Sequence, residues 1–244
     1  NNYNDTNIYI FIQKIPPHLL ENPIKNMILL NIEQISIPIM TAMIKKVLNK
    51  NIKIIDYSPE NIKLINKLSN QEIKLLPYQY DQNEINILSS LVTATEKTYD
   101  VVFVGWISQR RKNIVTELTK RGFKVLIMER KWGTSRDIDI SKAKLLLNIH
   151  YHESYNIYEA IRCDRWIFAG MMVVSEDSID TNLLDTKDLV EFEKYDNLVN
   201  KVIDVLHNYD EYQKKFISKH TELIENLKSQ RNIGEEEFLD IIRI

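Results

Sequence analysis

The densest run of side chains able to do chemistry lies in LLLNIHYHESYNIYEAIRCDRW, from Leu145 to Trp166. An apolar stretch of strand length gives way to Asn148, His150, His152 and Glu153, and Glu159, Arg162, Asp164 and Arg165 follow at helical spacing. Imidazole and carboxylate together suit a metal, a proton transfer near neutral pH, or hydrogen bonds to a sugar hydroxyl. If the strand continues, His150 and His152 share a face and Glu153 points the other way, so a three-ligand metal site needs a turn inside the motif. That spacing disfavours a metal. His150 stays open as a proton acceptor or hydroxyl ligand, with packing or loop capping as the plain alternative. Glu159, Arg162 and Arg165 lie near one helix face, where an ordinary i,i+3 ion pair is an equal reading.

A second run, VVFVGWISQRRKNIV from Val101 to Val115, places Gly105 at a strand end, and Gln109, Arg110, Arg111 and Lys112 at the next helix start. Free N–H groups already make a helix start electropositive, so cations there call for an anion. A phosphate resolves the conflict, and a solvated basic turn is the alternative. The run is neither a Walker loop nor a GxGxxG dinucleotide fingerprint. A third loop, RKWGTSRDID from Arg130 to Asp139, carries Gly133, Arg136 and two aspartates beyond a strand end, where ligands of open α/β sheets gather. In the first half, Glu33 and Gln34 follow one strand and Asp56 another, and they are candidates for a second substrate. Asp56 reads at least as well as a turn or capping residue.

These residues need an alternating α/β frame. Strand patterns cover Asn7 to Gln13, Asn26 to Ile32, Ile52 to Asp56 and Ile73 to Leu76, with helices over Thr41 to Asn49 and, capped by Ser58 and begun by Pro59, to about Leu68. The polar stretch Asp81 to Tyr99, with a helical patch around Ile85 to Leu91, reads as the connection between domains. Beyond it a strand at Asp100 to Val104, a helix at Arg110 to Arg121 closed by Gly122, and a strand at Lys124 to Met128 make a βαβ unit. A short helix at Ile138 to Lys144, strands at Leu145 to Ile149 and Met171 to Ser175, and a helix at Ile157 to Ala169 follow. The pattern continues through Leu189 to Phe192, and from Tyr195 the chain reads as helical almost to its end. All six prolines precede residue 78 and all five glycines lie at or after Gly105, so the chain divides near its middle. The expected domains are 1–95 and 96–244, each a parallel sheet with helices against its faces.

Composition narrows the function classes. A net charge of -2 gives no broad grip on nucleic-acid phosphates, so the Arg110 to Lys112 run with Lys142 and Lys144 is a local feature. Cys163 is the single cysteine, which leaves no internal disulfide and favours a reducing, cytoplasmic setting; on a helix without a Cys or His partner pattern it reads as a small buried residue. No apolar run is long enough to span a bilayer. The chain begins at Asn1 rather than Met, which fits trimming. The Asn and Ile excess fits an AT-rich genome.

In this order, NIEQIS, IIDYSPENI, LLPYQY, VVFVGWISQRRKNIV, WGTSRDIDISKAKLLLNIHYHES, YEAIRCDRWIFAG and VVSE resemble glycosyltransferases of the GT-B type. They are most similar to the group-1-like set that includes spore-maturation glycosyltransferases and giant-virus relatives. The resemblance implies two Rossmann-like domains facing a cleft, a UDP- or GDP-sugar held mainly by the C-terminal domain, and a glycan or protein acceptor on the N-terminal one. No cofactor or metal is implied beyond the donor itself. Carried across, it assigns Arg110 and Arg111 to the donor diphosphate region and Gly105 to a close backbone approach, with Ser108 and Arg136 as further donor-binding candidates. It sets His150 and Glu159 near the transferred sugar or ribose as the catalytic pair, supported by Asn148, Arg162 and Glu176. Glu33, Gln34, Asp56 and Tyr78 would lie on the acceptor side. One position departs from the pattern: Arg165 stands where many relatives are acidic, which leaves Asp164 or Glu176 to replace a ribose-binding carboxylate. A protein of this fold that binds a nucleotide or sugar without turnover is the alternative.

Overall fold

The structure, a computed structural model, describes residue 4 and residues 6–242. The chain divides into two compact units, one formed by residues through Gln79 together with those from Ile233 on, the other by Tyr80–Asn232.

In the first unit β1 (Tyr9–Ile12), α1 (Pro17–Glu21), β2 (Met27–Asn31), α2 (Pro38–Leu48), β3 (Lys53–Asp56), α3 (Pro59–Asn66) and β4 (Lys74–Leu75) alternate. Among the described residues the strands form a parallel sheet in chain order, β1-β2-β3-β4. The inner strands are buried almost throughout, as parallel strands covered on both faces must be. Leu29 and Ile54 meet Ile44, Val47 and Ile65 from the helices. Ser58 accepts from the Asn61 N–H and Pro59 opens α3, so that helix starts where the cap chemistry places it. The short α1 has no periodicity long enough to read in advance; Pro17 begins it and Leu19 anchors it.

The second unit runs α4 (Gln82–Ala94), β5 (Tyr99–Val104), α5 (Gln109–Lys120), β6 (Val125–Met128), α6 (Thr134–Ser141), β7 (Ala143–Asn148), α7 (Ala160–Phe168), β8 (Met172–Glu176), β9 (Val190–Glu193), α8 (Leu198–His207) and α9 (Tyr209–Arg231). Its strands are all parallel and ordered β6-β5-β7-β8-β9. The last helix, α10 (Glu235–Ile242), belongs to the first unit, where Ile242, Phe238 and Leu239 pack on Ile28 of β2 and Ile55 of β3.

Three expectations shift. The boundary expected after residue 95 lies at Gln79, because α4 is no linker: Asp81 caps it, Ile85 and Leu88 are buried, and it packs with α6 and α7. The expected C-terminal domain also loses residues 233 onward, since α10 supplies the apolar cover for the first sheet. The helix read at Ile138 to Lys144 begins earlier, at Thr134, and stops by Lys142, because Ala143 already pairs with Tyr99 of β5. Among the described residues no helix is long and apolar enough to cross a membrane.

Arg165 on α7 explains part of this packing. It donates to Glu84 of α4 (3.1 and 2.6 Å) and to Asp137 of α6 (2.9 and 3.1 Å), joining three helices through one planar fork.

Candidate functional site

In an open parallel sheet the loops on two neighbouring strands diverge where the strand order reverses, and the crevice beyond their carboxyl ends takes the ligand. The order β1-β2-β3-β4 contains no such reversal among the described strands. The second sheet does: from β5 the chain goes outward to β6, then returns to the other side as β7. Gly105 to Arg111 follow β5, and Asn148 to His150 end and follow β7.

Three arginines converge there. Ser108 caps α5 through the Arg111 N–H at 3.3 Å, which fixes the first turn carrying Arg110 and Arg111. Arg111 is 3% exposed, and its guanidinium donates to the Ile149 carbonyl (2.8 Å), the Trp106 carbonyl (2.9 Å) and Glu159 Oε1 (3.0 Å). Burial pulls its pKa down to about 10, against the nearby Glu159 charge, so it stays a cation at neutral pH. Arg162 pairs with the other Glu159 oxygen and reaches Asn148 Oδ1 at 3.4 Å. Arg110 grips Glu176 with both terminal nitrogens, donates to the His150 carbonyl at 3.2 Å, and lies 3.6 Å from the Tyr195 ring centroid. Three guanidinium groups thus face two carboxylates, and Arg111 and Arg162 share one of them.

Gly105 makes this arrangement possible. Its φ is +134°, a region L side chains rarely adopt, and an added Cβ would lie 3.2 Å from Arg162 Nη2 and 3.4 Å from Arg111 Nη1. Gly105→Ala should therefore lower stability by about 1–3 kcal/mol from the backbone alone, read as a drop in melting temperature. A melting temperature equal to wild type would show that the loop relaxes freely.

His150 is 1% exposed. Its backbone N–H donates to Glu176 Oε2 at 3.0 Å, and its Nε2 lies 3.1 Å from both the Asp177 carbonyl and Ser178 Oγ. A carbonyl can only accept, so this contact places the proton on Nε2 and leaves Nδ1 as the basic nitrogen. Nδ1 is buried without a hydrogen-bond partner in the structure. His152 turns away to Ser154 Oγ (2.8 Å), and Tyr155 packs beside it. Asn148 donates to Ser175 Oγ at 3.0 Å across the β7–β8 pair.

The crevice therefore brings together Gly105, Ser108, Arg110, Arg111, Asn148, His150, Glu159, Arg162 and Glu176. Arg136 is paired outside this group, beside Asp137 and over the Trp132 ring. Asp164 is also apart: it is buried against Arg231 of α9 and Thr186, and burial raises its pKa to about 7, opposed by the Arg231 charge. Neither Asp164 nor Glu176 is thus a free carboxylate for a ribose, since Glu176 is held by Arg110 and the His150 N–H. Sequence reasoning passed over Asp177, Ser178 and Tyr195. The first two could have been flagged by the same rule used for other loops, polar residues directly after a buried strand; Tyr195 carries no local signal.

In the first unit two of the residues read as acceptor-side, Asp56 and Glu33 through its carbonyl, join a polar knot at the ends of β2 and β3. Asp56, fully buried, accepts from Asn31 (2.6 Å), the Ser58 N–H (2.8 Å) and Asn61 (3.0 Å), and burial pushes its pKa up to about 6 against those hydrogen bonds. It acts as the turn residue before α3. The Glu33 carbonyl accepts from Asn31 and Asn61, its side chain takes a bond from Gln13 (2.9 Å), Gln34 is buried, and Tyr78 is half-buried after β4.

No protein-family model matches the chain. It is 46% identical over 225 residues to an uncharacterized protein of Acanthamoeba polyphaga mimivirus, covering 89% of this chain and 30% of that protein. To a second uncharacterized protein of the same virus it is 33% identical over 217 residues, covering 84% of this chain and 73% of the relative. The chain thus spans less than a third of the first of these relatives. Among solved structures it resembles sucrose-phosphate synthase from Thermosynechococcus elongatus, with a TM-score of 0.54, 10% identity, and 87% and 68% of the two chains covered. It also resembles T4 phage BGT in complex with UDP and Mn2+, with a TM-score of 0.53, 13% identity, and 89% and 74% covered. Both are GT-B glycosyltransferases, and at these identities what is shared is the fold.

Proposed function

We propose that this chain, which belongs to the same protein family as these mimivirus proteins and has the fold of the GT-B glycosyltransferases, transfers a sugar from a nucleoside-diphosphate sugar to an acceptor. The observation that carries the reading is the cation excess at the strand-order switch, where Arg111 and Arg162 share Glu159 beside Gly105. Negative charge builds on the diphosphate as the glycosidic bond breaks, and fixed guanidinium groups in a low-dielectric crevice stabilise it without reorganising. These arginines are proposed to do so without a metal.

His150 is the proposed base or sugar-hydroxyl acceptor, through Nδ1; Glu159 acts by holding Arg111 and Arg162 in place. The acceptor, a glycan or a protein, is proposed to bind the first unit near Glu33 and Gln34. A cytoplasmic site of action and kinship with the spore-maturation set belong to the same proposal.

A second reading has its own support. Both carboxylates among the predicted crevice residues, Glu159 and Glu176, are held by arginines, which fits a protein that binds the nucleotide without turnover.

Melting curves with UDP and GDP, followed by a donor-consumption assay over several nucleotide sugars with and without chelator, separate the readings. A ligand that binds only the folded state raises its melting temperature. A shift with turnover that survives chelator is the expected result. A shift without turnover favours the binding protein, and no shift with any nucleotide overturns both.

A further inference from the structure

Two of the three tryptophans stand exposed beyond the ends of neighbouring strands: Trp106 (57%) after β5 and Trp132 (75%) after β6. Each indole has a guanidinium over its ring, Arg130 at 4.5 Å from the Trp106 centroid and Arg136 at 5.9 Å from that of Trp132. The two loops are tied together, since the Ile107 N–H donates to Glu129 Oε1 at 2.6 Å. Arg130 adopts a φ of +52°, uncommon for a residue other than glycine. The Trp106 carbonyl is held by Arg111 at 2.9 Å, one residue from the glycine that lies against Arg162.

The other side of the switch is filled. After β8 the Asp177 carbonyl and Ser178 Oγ close on the His150 ring, and Thr181 bonds Asp177 at 2.9 Å. A ligand with its phosphates against Arg162, in front of the buried Arg111, therefore meets open aromatic surface on the β6 side.

We propose that this surface is a stacking platform for the nucleobase of a nucleoside diphosphate, with the phosphates at Arg162, backed by the buried charge of Arg111, and the base over Trp106 and Trp132. The proposal rests on the donor-binding reading above and adds to it where the base lies and what holds it. A base is joined to its phosphates by one ribose, and the Trp106 carbonyl touches the Arg111 guanidinium while the Trp132 loop is tied to the same turn through Glu129, so the platform is within its reach. The guanidinium over each indole supports the ring by cation–π attraction. Every base has a π-face, so the platform itself tolerates different bases.

Calorimetric titration with UDP, GDP and inorganic pyrophosphate tests this on wild type, Trp106→Ala, Trp132→Ala and the double variant. Both side chains are solvent-exposed, and circular-dichroism melts verify that the variants keep the fold. The double variant should weaken UDP and GDP by about tenfold or more while pyrophosphate affinity is unchanged, and the single variants divide that loss. The platform is overturned if the double variant binds UDP and GDP as wild type does. It is equally overturned if pyrophosphate weakens in parallel, or if wild type binds pyrophosphate as tightly as UDP and GDP. Wild type that binds neither the nucleotides nor pyrophosphate removes the donor reading itself, and the platform with it.

Discussion

Arg111→Met is expected to destabilise the protein by about 3–5 kcal/mol. The side chain is nearly inaccessible and supplies three donors, two to backbone carbonyls just past the ends of β7 and β5, and one to Glu159. Methionine fills much of the volume but leaves two carbonyls and part of a carboxylate without a donor in a poorly hydrated place. Lysine does not rescue the geometry, because one ammonium cannot reach three acceptors set around a planar fork. Urea unfolding of Arg111→Met, Glu159→Gln and the double variant gives the measurement. Residues in one buried network are coupled, so the double variant should lose less than the two single losses added together. Additive losses would mean that the pair is not the element holding the crevice.

Asp164→Asn should remove a large part of the pH dependence of stability. Burial holds the Asp164 carboxyl at about 7 in the folded protein, with Arg231 pulling the other way, whereas in an unfolded chain it titrates near 4. The folded state therefore binds this proton more tightly. Its contribution is complete below the unfolded value, declines as pH rises, and is lost above about 7. Three units of difference correspond to roughly 4 kcal/mol across that window. Asparagine does not titrate, so the stability of the variant relative to wild type should climb by about that amount between pH 4 and pH 8. Asp56, raised to about 6, acts in the same direction but is present in both proteins and cancels. Urea titrations at unit pH steps read the gap. A gap that stays constant would place Asp164 as an ordinary carboxylate ionised beside Arg231.

How much of this was legible beforehand depended on whether the signal was local. Buried parallel strands such as β5 and β8 are short apolar runs, and Ser58–Pro59 writes the start of α3 into adjacent residues, so these could be read directly. The cluster of Gly105, Arg110, Arg111, His150 and Arg162 was reachable because each follows a strand end or opens a helix. What could not be read was pairing across distance. Nothing near Arg165 in the chain points to Glu84, 81 positions away, so a residue that looked like a missing ribose clamp is a brace for three helices. Asp164 likewise finds Arg231 only in the fold. The domain boundary failed for the same reason: α4 is polar enough to pass for a linker, and its attachment is visible only once α6 and α7 lie against it.

The return of α10 to the first sheet also sets an order of assembly. Residues 80–232 are interposed between the strands of that sheet and the helix that covers Ile28 and Ile55. During synthesis β2 and β3 leave the ribosome long before residue 238 does, so an apolar sheet face waits in water while the second unit is made. The second unit, continuous in sequence, can close on itself first. The earlier-made unit is thus the later to be finished, and any nascent or clipped chain ending before Ile233 carries a bare Ile28–Ile55 face open to chaperones or aggregation.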